Sequence, residues 1–88
     1  MSKTLIEESL LKYILEKSDL NNISEIPKDE SLLYNGILDS FGIIELVEFI
    51  ESNWSISIDD DDFTLEKMGS VNKMVYLIAS KTSNSNVN

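Results

Sequence analysis

Apolar residues recur at helical spacing in three separate segments, and this periodicity constrains the fold more than any other feature of the chain. The first segment runs from about Thr4 to Ser18, the second from Ser40 to about Asn53, and the third begins after Ser70. Apolar side chains spaced three and four positions apart lie on one side of a helix, where they can pack on a shared core. The pattern therefore predicts three amphipathic helices.

Residues with capping chemistry stand where these helices are expected to begin or end. Asp39 can accept hydrogen bonds from the free N–H groups of the second helix, and Ser70 can do the same for the last. Asp62 or Thr64 can cap a short helical turn between them, and Gly69 can end that turn. We therefore expect a fourth, short helix just before the last long one.

The segment from residue 19 to residue 38 is expected to be a long connection, because Pro27 and Gly36 favour turns over regular structure. Its apolar residues should pack on the core: Ile23, Ile26, Leu32, Leu33, Ile37 and Leu38. Residues 54–58 alternate apolar residues with Ser, but a single such run has no pairing partner and is better read as an extended loop.

Together these features predict an all-α fold, a small four-helix bundle of three main helices and one short helix with a long first loop. The chain has 88 residues, which suffices for one small domain. We assign residues 1–81 to that domain and residues 82–88, which are polar and low in complexity, to a flexible C-terminal tail.

Several function classes are excluded by composition. The sequence contains no Cys and no His, which removes disulfides, thiolate metal sites and the usual general base. No apolar run reaches membrane-spanning length, so we expect a cytoplasmic protein without membrane insertion.

The run Asp59–Asp62 lacks the alternating acids and central Gly of a calcium loop. We therefore expect no metal site there, and a solvated run of acids before a helix.

The charge of the chain is strongly negative and unevenly distributed. The net charge is −9, all seven basic residues are Lys, and none of them lies between Asp29 and Glu66. A surface of one sign attracts partners of the opposite sign, so a basic protein partner is favoured and direct binding to nucleic-acid phosphates is disfavoured.

The second helix has two apolar faces with different surroundings. One side carries residues that should face the core: Ile43, Leu46, Val47 and Ile50. The other side carries Phe41 and Ile44, surrounded by the carboxylates of Glu45, Glu48 and Glu51. An apolar centre with a charged rim is typical of a protein-binding surface, although isolated exposed apolar residues are also common.

Ser40 stands at the start of this helix, within the stretch "GILDSFGII". Without a His the usual catalytic triad is impossible, and the Gly-x-Ser-x-Gly elbow of hydrolases is also missing. Backbone N–H groups and the helix dipole favour an anion at this position, so a phosphate ester on Ser40 would be accommodated. On the residues alone, a modified serine and a simple helix-starting serine both stay open.

The stretch "LYNGILDSFGIIELVEFIE" closely resembles the acyl carrier protein family, and the similarity covers nearly the whole chain, including "ISIDDDDFTLEKMGSV". The resemblance implies that Ser40 carries 4′-phosphopantetheine, donated by coenzyme A, whose terminal thiol holds an acyl, aminoacyl or peptidyl group as a thioester. It also implies that Asp39 is recognised by a phosphopantetheinyl transferase. The positions that meet partner enzymes in the family are here Phe41, Ile44, Glu45 and Glu48. Phe41 stands where the family usually has Leu or Met, and Gly42 lowers helix propensity in the first turn.

The resemblance thus implies a free-standing, monomeric carrier and not an enzyme. Its partners would be the transferase, an acyl- or aminoacyl-loading ligase and downstream enzymes of fatty-acid, polyketide or nonribosomal peptide biosynthesis. The second helix looks more like that of dedicated carriers in specialised or aminoacyl pathways than like that of the housekeeping fatty-acid carrier. An alternative is an unmodified acidic helical adaptor that binds a basic partner through Phe41 and Ile44.

Overall fold

The computed structural model describes residues 2–87, except for the side chains of Leu65 and residues 83–87. It contains four α-helices: α1 (Lys3–Lys17), α2 (Ser40–Trp54), α3 (Leu65–Met68) and α4 (Val71–Val87). Short 3₁₀ turns lie at Ile23–Glu25 and Asp60–Asp62, and none of the residues from 2 to 87 forms a strand. The prediction of an all-α bundle with three main helices and one short helix is confirmed.

The core lies between the apolar faces of the helices. The buried apolar residues of the helices are those of α1 (Ile6, Leu10, Leu11, Ile14), α2 (Leu46, Ile50, Trp54), α3 (Met68) and α4 (Val71, Met74, Val75, Ile78, Ala79). Each fully buried Leu or Ile contributes about 1.5–3 kcal/mol relative to an exposed one, so these residues supply the main driving force for folding. The α1 and α4 helices pack along each other, and α2 also contacts α4.

The helix ends follow from the caps in the sequence. The Thr64 hydroxyl oxygen accepts the N–H of Lys67 at 3.2 Å, so Thr64 rather than Asp62 caps α3. The Ser70 hydroxyl oxygen accepts the N–H of Lys73 at 3.3 Å and caps α4, as predicted. The α2 helix ends at Trp54, one residue later than expected, and this buried side chain packs edge-on against Phe49.

The first connection packs on the core through only part of its apolar residues. Ile26, Leu32 and Leu38 are buried, as predicted. Ile23 and Leu33 are 40% and 42% exposed, so the prediction that they pack on the core is wrong. Ile23 opens a 3₁₀ turn, and Leu33 follows a residue that already points into the core, so the backbone directs both side chains outward.

The loop predicted for residues 54–58 is present only in part: Trp54 belongs to α2, and residues 56–59 have no regular structure. At the C-terminus the backbone of α4 continues through Val87, and the buried Thr82 hydroxyl donates to the Ile78 carbonyl oxygen at 2.9 Å. The flexibility expected for residues 82–88 stays a prediction, and Asn88 lies outside the described residues. Between residues 2 and 87, no helix has the length and apolar character needed to cross a membrane.

Candidate functional site

Ser40 is the first residue of α2 and is exposed to solvent. The preceding residue, Asp39, has extended backbone geometry, and its Oδ1 accepts the N–H of Gly42 at 2.7 Å. The Asp39 carbonyl oxygen also accepts the N–H of Ile43 at 2.9 Å. The cap predicted from the sequence is therefore present, and it fixes the backbone at Ser40, the first residue of a 15-residue helix.

Because Gly42 has no side chain, the Asp39 carboxylate can lie this close to its backbone N–H. A Cβ atom at this position would lie 3.2 Å from Asp39 Oδ1 and 3.3 Å from Leu38 Cβ, which is tighter than ordinary van der Waals contact. The low helix propensity of Gly costs up to about 1 kcal/mol relative to Ala. The short Asp39–Gly42 hydrogen bond, made to a charged acceptor, offsets that cost because such bonds are stronger than neutral ones.

The two faces of α2 are separated as predicted. Leu46 and Ile50 are fully buried, while Phe41 and Ile44 are 68% and 55% exposed. The predicted site residues on α2 lie within its first nine residues: Ser40, Phe41, Ile44 and Glu48 are exposed, and Glu45 is half-buried. Their contact with partners stays a prediction.

The acids of α2 have different roles. Glu48 is exposed and Glu45 is half-buried. Glu51 Oε2 accepts the N–H of Ile58 at 2.8 Å, so this carboxylate ties the loop after α2 back to the helix. Glu51 therefore stabilises the loop that follows α2. The charged rim around Phe41 and Ile44 consists mainly of Glu45 and Glu48.

An aromatic residue of α1 lies against the side of α2. The rings of Tyr13 and Phe49 are stacked, with centroids 4.2 Å apart and planes 16° from parallel. The pKa of Tyr13 is raised, first because of burial and then because of the negative charges of Glu45 and Glu48. Tyr13 therefore lies close enough to Glu45 and Glu48 for their charges to act on it.

Further exposed apolar residues lie outside α2, and the sequence interpretation did not identify them as surface residues. Leu33 and Tyr34 of the first connection and Phe63 before α3 are exposed. With Ile43 and Met68 they line a largely apolar cavity of about 260 Å³. The apolar periodicity that identifies a helix gives no information about residues in loops. The only local sequence signal for these exposed apolar residues is the apolar run Leu32–Tyr34.

Asp62 corrects the interpretation of the acidic run as solvated. It is only 8% exposed, and its carboxylate accepts from Lys81 Nζ at 2.9 Å and lies 3.5 Å from Lys67 Nζ. It also accepts the N–H of Asp59 at 3.1 Å. The hydrogen bond from Lys81 is the main reason why the pKa of Asp62 is lowered, and the bond from Asp59 adds to it. Asp59, Asp60 and Asp61 are exposed, and the part of the chain that the structure describes holds no cluster of acids suited to a metal ion.

Known proteins similar to this chain are carriers by name. The D-alanyl carrier protein of Streptococcus suis (strain 98HAH33) is 33% identical over 70 residues, which cover 80% of this chain and 86% of that protein. The acyl carrier protein of Desulforapulum autotrophicum is 34% identical over 77 residues, 88% of this chain and 97% of that protein. The D-alanyl carrier protein of Streptococcus uberis is 33% identical over 70 residues, 80% of this chain and 86% of that protein. No protein-family model matches the sequence.

Proposed function

This chain belongs to the family of the D-alanyl and acyl carrier proteins, and on that premise we propose that it holds its cargo on a 4′-phosphopantetheine arm attached to Ser40. The resemblance inferred from the sequence is confirmed at the level of the family, as is the interpretation that the chain is not an enzyme. The proposal adds the attachment residue, the arm and the way in which the cargo is delivered.

The observation that carries the proposal is the exposed Ser40 hydroxyl, held directly after the Asp39 cap at the start of α2. A phosphodiester at this position meets the positive end of the helix dipole and the N–H groups of the first turn. The residues present therefore fit the arm: Ser40 provides the oxygen for attachment, and Asp39 fixes the backbone that presents it. When attached, the arm supplies a terminal thiol that holds the cargo as a thioester.

Delivery requires that partner enzymes meet the chain beside Ser40. We assign recognition by the phosphopantetheinyl transferase to Asp39, and contact with partners to Phe41, Ile44, Glu45 and Glu48. The exposed apolar pair can bury its surface against a partner, and the two carboxylates can attract basic groups before contact. Tethering the cargo raises its effective concentration at each partner's site.

The relatives carry the names D-alanyl and acyl carrier protein, so we propose an acyl or aminoacyl cargo for this chain. Its partners are then the transferase, a ligase that loads the cargo, and downstream biosynthetic enzymes. Because loading draws on coenzyme A, we place the protein in the cytoplasm, where it acts as a monomer.

The test is transfer of the arm in vitro. Unmodified protein is incubated with coenzyme A, Mg²⁺ and a broad-specificity phosphopantetheinyl transferase, and its intact mass is measured. Native protein should gain one arm, and Ser40→Ala should gain none. Ser52→Ala, which changes another exposed serine of α2, is the matched control and should gain one arm. No gain on the native protein, or an equal gain on Ser40→Ala, would contradict the proposal and favour the unmodified adaptor.

A further inference from the structure

We propose that Asp62 is a positioning residue that holds the α3 segment, residues 59–68, against α4 and thereby fixes the surface beside the start of α2. Its carboxylate contacts Lys81 of α4 at 2.9 Å and Lys67 of α3 at 3.5 Å. It also accepts the backbone N–H of Asp59, which closes the turn that precedes α3. One side chain thus links the turn, α3 and α4.

The contact between Asp62 and Lys81 is stronger than that of an ordinary surface ion pair. Asp62 is buried, and the side chain of Lys81 is only 24% exposed, so the pair is poorly screened by water. A short charge-assisted hydrogen bond in such a place is roughly twice as strong as a neutral one. Removing the Lys81 ammonium group would leave the buried Asp62 carboxylate with only the longer Lys67 contact at 3.5 Å and the Asp59 N–H, so its link to α4 would be lost.

The α3 helix depends on such contacts for its position. It has four residues, far fewer than an isolated helix needs for stability in water. Tertiary contacts must therefore hold it in place. Near its end the segment is anchored by Met68, which is buried in the core, and near its beginning by Asp62. Loss of the Asp62 contacts would leave the part between these anchors free to move.

The part between the anchors lines the same cavity as Ile43 in the first turn of α2. Phe63 directly follows Asp62, and the N–H of Thr64 donates to the Asp62 carbonyl oxygen at 2.9 Å. Phe63, Thr64 and Met68 line one side of the apolar cavity, and Ile43 of α2, three positions after Ser40, lines another. The position of the α3 segment therefore determines the shape of this cavity and the exposure of Phe63. This inference concerns the fold and holds whether or not Ser40 carries an arm.

The chain offers matched variants for a test. Asp62→Asn keeps the shape of the side chain but removes its charge. Asp61→Asn makes the same change in net charge at the exposed neighbouring position. Lys81→Met keeps an apolar stem without the ammonium group, and Lys81→Arg keeps the charge. Urea unfolding followed by circular dichroism establishes that each variant is folded before the cavity is tested.

The readout is binding of benzene, an apolar probe small enough for a cavity of this size, followed by NMR shifts of the Met68 and Ile43 methyl groups. Asp62→Asn and Lys81→Met should each weaken benzene binding by about threefold or more, the scale of coupling between contacting residues. Lys81→Arg and Asp61→Asn should bind like the native protein. If Asp62→Asn does not fold, the benzene affinity of Lys81→Met alone tests the proposal. Native benzene affinity and native methyl shifts in a folded Asp62→Asn or Lys81→Met variant would overturn the proposal, even if the variant were less stable.

Discussion

Two substitutions on α2, two positions apart, should separate the core face from the partner face. Leu46 is fully buried in the core, whereas Ile44 is 55% exposed. Leu46→Ala should cost about 2–5 kcal/mol of unfolding free energy, because it loses transfer energy and leaves a cavity. A domain of this size has a total stability of roughly 4–13 kcal/mol, so a large fraction would be lost. The melting temperature should fall by roughly 10–40 °C.

Ile44→Ala should be much milder. About half of the Ile44 side chain is already in water, so truncation removes on the order of 1 kcal/mol of burial. The higher helix propensity of Ala returns about 0.4 kcal/mol, leaving a net loss well below 1 kcal/mol. The same variant should nevertheless lower kcat/KM for transfer of the arm, because the removed methyl groups belong to the proposed partner surface.

Urea unfolding followed by circular dichroism measures the stability of both variants, and transfer kinetics measure recognition. The slope of the unfolding transition should stay native, so that the midpoint reports stability alone. The reasoning fails if Ile44→Ala destabilises the protein as much as Leu46→Ala. It also fails if Ile44→Ala has native transfer kinetics while remaining fully folded.

Three further predictions concern charge and backbone. Replacing both Glu45 and Glu48 with Lys should slow transfer of the arm at low salt. The effect should be smaller at high salt, because salt screens the charges. Native transfer rates at low salt would mean that these acids contribute only to net charge. The pKa of Asp62 is lowered by its hydrogen bond from Lys81, so its stabilising contribution is complete above the ordinary Asp range and is lost as the pH falls through the lowered folded-state pKa. Urea unfolding across the acid range should therefore show a weaker pH dependence for Asp62→Asn, and an unchanged dependence would contradict this assignment. Ser55→Gly should raise the unfolding free energy by up to about 1 kcal/mol, because Ser55 ends α2 in the left-handed region at a φ of 54°; an unchanged or lower urea midpoint would refute it.

The helices of this fold can be predicted from the sequence because their determinants are local. The apolar period of α2 and the Asp39 cap lie within one short stretch, and the structure contains both. The loops are less predictable, since a loop has no period that tells which side of the chain faces the core. Ile23 and Leu33 show this: both are apolar, and both point outward because of the turns that contain them.

The candidate site likewise has some features with local determinants in the sequence and others that depend on distant residues. The helix start at Ser40 and its Asp39 cap can be predicted from adjacent residues, whereas the proposed role of Ser40 rests on the family resemblance. The role of Asp62 cannot be predicted from adjacent residues, because Lys81 lies 19 positions further along the chain. Only the packing of α4 brings the two side chains together. Tyr34 and Phe63 come from separate loops and meet at one cavity only in the folded chain.

The central claim, that Ser40 carries the arm and through it the cargo, is tested most directly on protein isolated from its own cells. Its intact mass is measured before and after hydroxylamine cleavage of thioesters, and the modified peptide is then sequenced. We predict a mass above that of the bare chain, a loss of the cargo on cleavage, and an arm that remains on the peptide containing Ser40. A chain that has only its unmodified mass under every condition, or an arm on a different residue, would contradict the claim.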